Sequence, residues 1–148
     1  FSGEYATPVK DMSEPYVRPQ ENNHRTDIYW CALTDKAQRG LLLIADRTFE
    51  LNASNYPLES MDSGDTIDNG APRTEKTHHR HLTDPLPEKI VDLFIDYRMM
   101  GVGGDDSWGA TAHEPYLIRP GKENAIEYGF SLVPFDKKED YKYLIRQY

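Results

Sequence analysis

Cysteine is nearly absent from this chain. Cys31 is the only one in 148 residues, which excludes an internal disulfide and a cysteine-built metal cluster. Basic side chains are also in deficit: 17 Lys and Arg stand against 25 Asp and Glu, a net charge of −8. Nucleic acid and anionic membrane both require a basic footprint, so neither is an expected partner. No apolar run approaches the length that crosses a bilayer, and no secretory leader pattern opens the sequence. The first residue is Phe1 rather than Met, so the start reads as a processed end or an excised piece, which removes any targeting argument. A single thiol fits oxidising and reducing surroundings alike, and the compartment stays unknown.

What the chain does have is aromatic bulk. Hydrophobic residues make up only 38% of it, but ten Tyr, five Phe and two Trp bring large areas to bury. The length suits one domain with one sizeable core.

Period-two patterning dominates. Four prolines or glycines in residues 1–19 favour extended and turn conformations over helix. "IYWCAL" (28–33) predicts a strand with Ile28, Trp30 and Ala32 on one face. "GLLLIAD" (40–46) and "RTFELNAS" (47–54) predict two consecutive antiparallel strands, the second with Phe49, Leu51 and Ala53 on one side. Leu58 and Met61 suit a single helical turn, and the polar 63–77 stretch a long surface loop. "KIVDLFIDYRMMG" (89–101) alternates, with Val91, Leu93 and Ile95 facing one way. "EPYLIRPGKENAIEYGFSLVPF" (114–135) predicts a hairpin turning at Pro120-Gly121, with Ile126, Tyr128, Phe130 and Leu132 on its buried face. After Pro134, Tyr141, Leu144, Ile145 and Tyr148 stand at helical spacing, which fits a short amphipathic helix or a charged tail. The fold class that follows is all-β, an antiparallel β-sandwich, spanning 1–135 with a tail over 136–148.

The most concentrated chemistry is "MGVGGDDSW" (100–108). It lacks the Lys-Ser/Thr of a phosphate loop, the glycine spacing of a dinucleotide fingerprint and the alternating oxygens of an EF-hand. Asp105 and Asp106 are adjacent, and neighbours in extended chain point to opposite sides, so they are not placed to flank one glycosidic bond. Their predicted role is structural: carboxylates accepting backbone N–H groups to hold a tight turn built from Gly101, Gly103, Gly104, Asp105, Asp106 and Ser107. Trp108 ends that turn either as a core plug or as a presented platform, to whose π-face the C–H groups of a sugar ring would pack.

Other candidates carry less. His79 and His81 in "THHRHL" share a face if that segment is extended, and could hold zinc with a third ligand such as His113. The four-ligand requirement instead favours structural or solvated histidines. Asn52-Ala53-Ser54 matches a glycosylation sequon, and Glu21 and Arg25 are positioned to pair across a turn.

Three stretches in order, "PYVRPQENNHRTD" (15–27), "THHRHL" (77–82) and "MGVGGDDSWGATAHEPYL" (100–117), resemble the C-terminal domain of the family 2 β-galactosidases. The resemblance runs from about Gly3 to Phe135. Where that family often has Glu-Asn-Gly, this chain has Glu21-Asn22-Asn23, and Asn tolerates left-handed backbone better than most residues. The 63–77 loop resembles an insertion. The resemblance implies an antiparallel supersandwich similar to galactose mutarotase, of which this chain is the C-terminal half. It implies retaining hydrolysis of terminal β-galactosides by a bacterial parent, cytoplasmic or periplasmic. The catalytic glutamates, magnesium and sodium then belong to a barrel outside this chain, with no catalytic, cofactor or metal residue here. Trp108 is implied to contact the sugar. Expected partners are the galactoside, the rest of the polypeptide and, for the isolated chain, itself. The alternatives are a non-catalytic carbohydrate-binding sandwich and an oligomer-interface sandwich.

Overall fold

The computed structural model describes residues 3–14, 22–61, 85–101, 103–106 and 108–148. Among the described residues four strands form one sheet: β1 (Arg25–Thr34), β2 (Gly40–Ser54), β3 (Asp92–Asp96) and β4 (Phe130–Phe135), followed by one α-helix, α1 (Tyr141–Ile145). The order is β1-β2-β3, and β4 also pairs with β2. The fold is therefore all-β with little helix. The chain divides into two compact units, Phe1–Arg25 with Leu51–Phe94, and Thr26–Glu50 with Ile95–Tyr148.

In the second unit, β2 and β4 run antiparallel, with Leu42 opposite Val133, Leu43 opposite Leu132 and Ile44 opposite Ser131. Leu42, Ile44 and Phe135 make a buried cluster, against which Trp30, Ala32, Val133, Tyr141, Leu144 and Ile145 pack. Trp30 and Phe135 both meet the Tyr141 ring, at 5.8 and 5.7 Å between centroids. The expected inner face of β1 is thus present, with Ile28, Trp30 and Ala32 at least half-buried and Tyr29 exposed. Beyond β4 the chain forms a helix rather than a loose tail. Asp140 caps α1 by accepting the Lys142 N–H at 2.9 Å, which satisfies a donor that a helix start leaves unpaired. The apolar stripe Tyr141, Leu144, Ile145 then turns onto the sheet, while Tyr148 stays exposed.

In the first unit, Leu51, Asn52, Ala53 and Ser54 are all buried. The Asn55 amide donates to the carbonyls of Glu88 and Ile90 at 3.4 and 2.9 Å, and Glu88 N–H returns to Asn55 O at 2.7 Å. Leu58–Met61 is the expected single helical turn, of 3-10 type. Asn23 has φ 65°, the left-handed conformation expected of it, and its carbonyl and side-chain oxygens both accept from Arg25 Nη1 at 2.9 Å. Glu21, the other half of the expected pair, lies outside the described residues, as does the 63–77 loop.

Two predicted features differ. The segments 40–46 and 47–54 are one continuous strand, because the polar pair Asp46-Arg47 faces solvent without breaking the ladder. Asp46 N–H still bonds Gly129 O at 3.0 Å. The 114–135 hairpin does not form. Residues Glu114–Tyr116 are a 3-10 turn with Pro115 at its start, and the reversal sits at Gly121–Asn124, paired N–H to O in both directions. The inward face of β4 is Val133 and Phe135, whereas Leu132 is 52% exposed and Ile126 and Tyr128 are also exposed.

Candidate functional site

The stretch that follows β3 is anchored before it reaches the glycines. Tyr128 Oη donates to Ile95 O at 3.0 Å. The rings of Tyr97, Tyr128, Phe130 and Phe49 follow one another at 6.0 to 6.2 Å, ending on a fully buried phenylalanine. Met99 N–H then donates to Glu50 Oε2 at 2.6 Å. At Gly101 a loop opens whose neck is the bond from Gly101 N–H to Tyr116 O, 2.8 Å.

Within this loop the glycines answer two different needs. Gly103 has φ 76°, where a Cβ costs roughly 1–2 kcal/mol. Gly104 is needed for space, since a Cβ there would lie 2.5 Å from Thr111 O and 2.8 Å from Ala110 Cβ. The two aspartates part company. Asp106 Oδ1 accepts the backbone N–H groups of Trp108 and Ala110 at 2.8 and 3.4 Å, an Asx turn that stands in for a backbone turn. Asp105 Oδ1 meets His113 Nε2 at 3.0 Å across the loop, with both side chains largely exposed. Glu114 and Arg119 pair alongside, at 2.8 and 3.3 Å. An open cleft of about 240 Å³ lies among Gly101, Gly103, Gly104, Asp105, Ala112, His113 and Tyr116.

Trp108 stands at the end of the Asx turn and is 93% exposed. Its backbone N–H is held by Asp106 while its side chain stands at the surface of this chain. Ser107 lies outside the described residues, and so do His79 and His81. Among the described residues no three His, Cys, Asp or Glu side chains converge on one point, and His113 is engaged with Asp105. The sequon is inward-facing: Asn52 and Ser54 are 6% and 5% exposed. Burial raises the Cys31 thiol above its ordinary range, which keeps it protonated and a poor nucleophile.

Sequence reasoning did not single out Glu50. Alternation in "FELNAS" places Phe49, Leu51 and Ala53 inward, so Glu50, Asn52 and Ser54 are expected at solvent. The structure buries both faces, and alternation in the local sequence does not carry that difference.

A family model described as "Beta galactosidase small chain" matches residues 1–132. The chain is 34% identical to a β-galactosidase of Priestia megaterium over 74% of its own length and 9% of the relative's. It is 27% identical to one from Alteromonas mediterranea over 78% of the chain and 9% of the relative. With one from Staphylococcus xylosus the identity is 28% over 89% of the chain and 11% of the relative. The chain thus spans about a tenth of the length of the curated relatives it matches.

Proposed function

The chain belongs to the β-galactosidase small-chain family, and from that premise we propose that it works as part of a β-galactosidase, with Trp108 as a platform for the bound saccharide. The supporting observation is the exposure of the Trp108 indole, 93%, on a loop whose backbone is held by Asp106. The proposed chemistry is retaining hydrolysis of terminal β-galactosides. One carboxylic acid protonates the leaving oxygen, and a second carboxylate forms a covalent galactosyl intermediate that water then releases. We assign both carboxylates, and any magnesium or sodium, to the remaining nine tenths of a relative-sized polypeptide. Trp108 breaks no bond. Stacking holds the saccharide, chiefly the leaving-group sugar, in the geometry that reaction needs. In the same reading, this sheet completes an antiparallel supersandwich with the rest of the polypeptide, which also covers exposed apolar side chains other than Trp108.

The test is Trp108→Ala in the full-length protein. Loss of one aromatic stacking contact, on the order of 0.5–1.5 kcal/mol beyond its area, corresponds at its upper end to about a tenfold fall in kcat/KM, with the unfolding midpoint unchanged. Wild-type kinetics with both lactose and an aryl galactoside would refute the platform.

A further inference from the structure

A buried carboxylate holds the approach to the Trp108 loop. Glu50 lies within β2, 8% exposed, on the face opposite that of its buried neighbours Phe49 and Leu51. Glutamate is among the side chains least often buried, because its polar head is costly to remove from water without partners. An apolar residue of similar volume would avoid that cost and fill the same space. What it could not do is accept the Met99 N–H, 49 residues away, which Glu50 Oε2 does at 2.6 Å. Met99 lies three residues past the end of β3 and two before Gly101, whose N–H closes the neck of the loop on Tyr116 O. Beyond that neck the chain is cross-braced by Asp105 to His113 and by Asp106 to Trp108 and Ala110. The path from the sheet to the indole therefore passes the short Glu50–Met99 bond to β2 and then the braced loop.

We infer that Glu50 is a positioning residue for substrate: its carboxylate fixes the neck of the 101–116 loop and thereby the presentation of Trp108 to the saccharide. This rests on the platform role proposed for Trp108. In this role Glu50 touches no substrate and acts through the backbone at Met99. Small displacements of a binding group are enough to matter, since about 1 Å of misplacement can cost on the order of a hundredfold in rate.

The experiment compares Glu50→Met, Glu50→Gln, Trp108→Ala and the Glu50→Met/Trp108→Ala double variant in the full-length protein, reading KM and kcat for lactose. Methionine keeps the volume and removes the acceptor, and KM is expected to rise about tenfold with a smaller change in kcat. Glutamine keeps an oxygen that accepts the Met99 N–H, and its KM stays within about twofold of wild type. In the double variant the Glu50→Met effect disappears, because there is no platform left to position. Should Glu50→Met fail to fold, Met99→Pro removes the donor from the exposed side of the same bond and is held to the same outcomes. An impaired Trp108→Ala beside a wild-type KM in Glu50→Met, or losses that multiply in the double variant, overturns the role of Glu50 and leaves the platform standing. A Trp108→Ala variant with unchanged kinetics overturns the platform, and the role of Glu50 with it.

Discussion

One carboxylate oxygen organises the backbone immediately beneath the indole. Asp106 Oδ1 accepts from Trp108 N–H at 2.8 Å and from Ala110 N–H at 3.4 Å, so one side-chain atom orders two peptide groups on either side of Gly109, itself at φ 121°. Asparagine presents a carbonyl oxygen in the same place, whereas alanine presents nothing. Asp106→Asn in the full-length protein is accordingly expected to keep kcat/KM for lactose within about twofold. Asp106→Ala is expected to lose about fivefold, the equivalent of one net hydrogen bond of about 1 kcal/mol. Equal kinetics for the two variants would show that the turn does not govern the platform. The difference between Asp106 and Glu50 also marks how far the site is legible in sequence. An Asp two residues before a tryptophan, among glycines, declares its partner locally, because an Asx turn is closed within three residues. Glu50 bonds across 49 residues from a strand whose polar positions read as solvent-facing, and no local pattern carries that information.

The β1–β2 connection shows the same chemistry at the level of an element. Asp35 Oδ1 accepts the N–H groups of Ala37 and Arg39 at 2.8 and 2.9 Å. Its Oδ2 takes Nε and Nη2 of Arg39 at 3.0 and 2.8 Å, around a turn in which Gln38 has φ 60°. The Arg39 N–H bond first, and then the Arg39 guanidinium, hold the Asp35 carboxyl below the ordinary aspartate range. A group whose folded pKa is depressed stabilises the fold above its unfolded value, about 4, and that contribution is lost as pH falls through the lower folded value. Amide protection at Ala37 and Arg39 is therefore expected to be flat above about pH 5 and to fall below about pH 4. In Asp35→Asn it should vary less with pH over that window. Identical pH profiles for the two proteins would refute the linkage. Element existence was readable for β1, where Trp30 and Ala32 alternate with the exposed Tyr29, and for α1, where Tyr141, Leu144 and Ile145 share a helical stripe. Element boundaries were not. Asp46-Arg47 imitates a strand end although β2 runs through it, and Pro120-Gly121 imitates a hairpin although the chain reverses at Gly121–Asn124. In the first, a bond from Asp46 N–H to Gly129 O continues past the last β2–β4 pair, Ala45 with Phe130; in the second, residues 117–120, which follow the 3-10 turn at Glu114–Tyr116, form no strand.

At the scale of the whole molecule, surface chemistry sets two forces against each other. Large apolar side chains stand exposed among the described residues, including Tyr5, Leu86, Met99, Trp108, Tyr116 and Leu132, and such surface drives association unless something covers it. A net charge of −8 opposes association through mutual repulsion, with a range set by ionic strength: about 30 Å at 0.01 M salt and about 8 Å at 0.15 M. Raising salt weakens the repulsion and leaves apolar burial intact. The isolated 148-residue chain is therefore expected to be smallest at low salt and to self-associate as salt rises, whereas assembly through ion pairs would show the reverse order. Sedimentation velocity across that salt range reads the sign directly. Galactoside turnover measured on the same samples should be nil at every salt, since the proposed carboxylates belong to the rest of the polypeptide. A monomer at all salt concentrations would mean that the exposed side chains need no cover, and hydrolysis by the purified chain would place the catalytic groups within it.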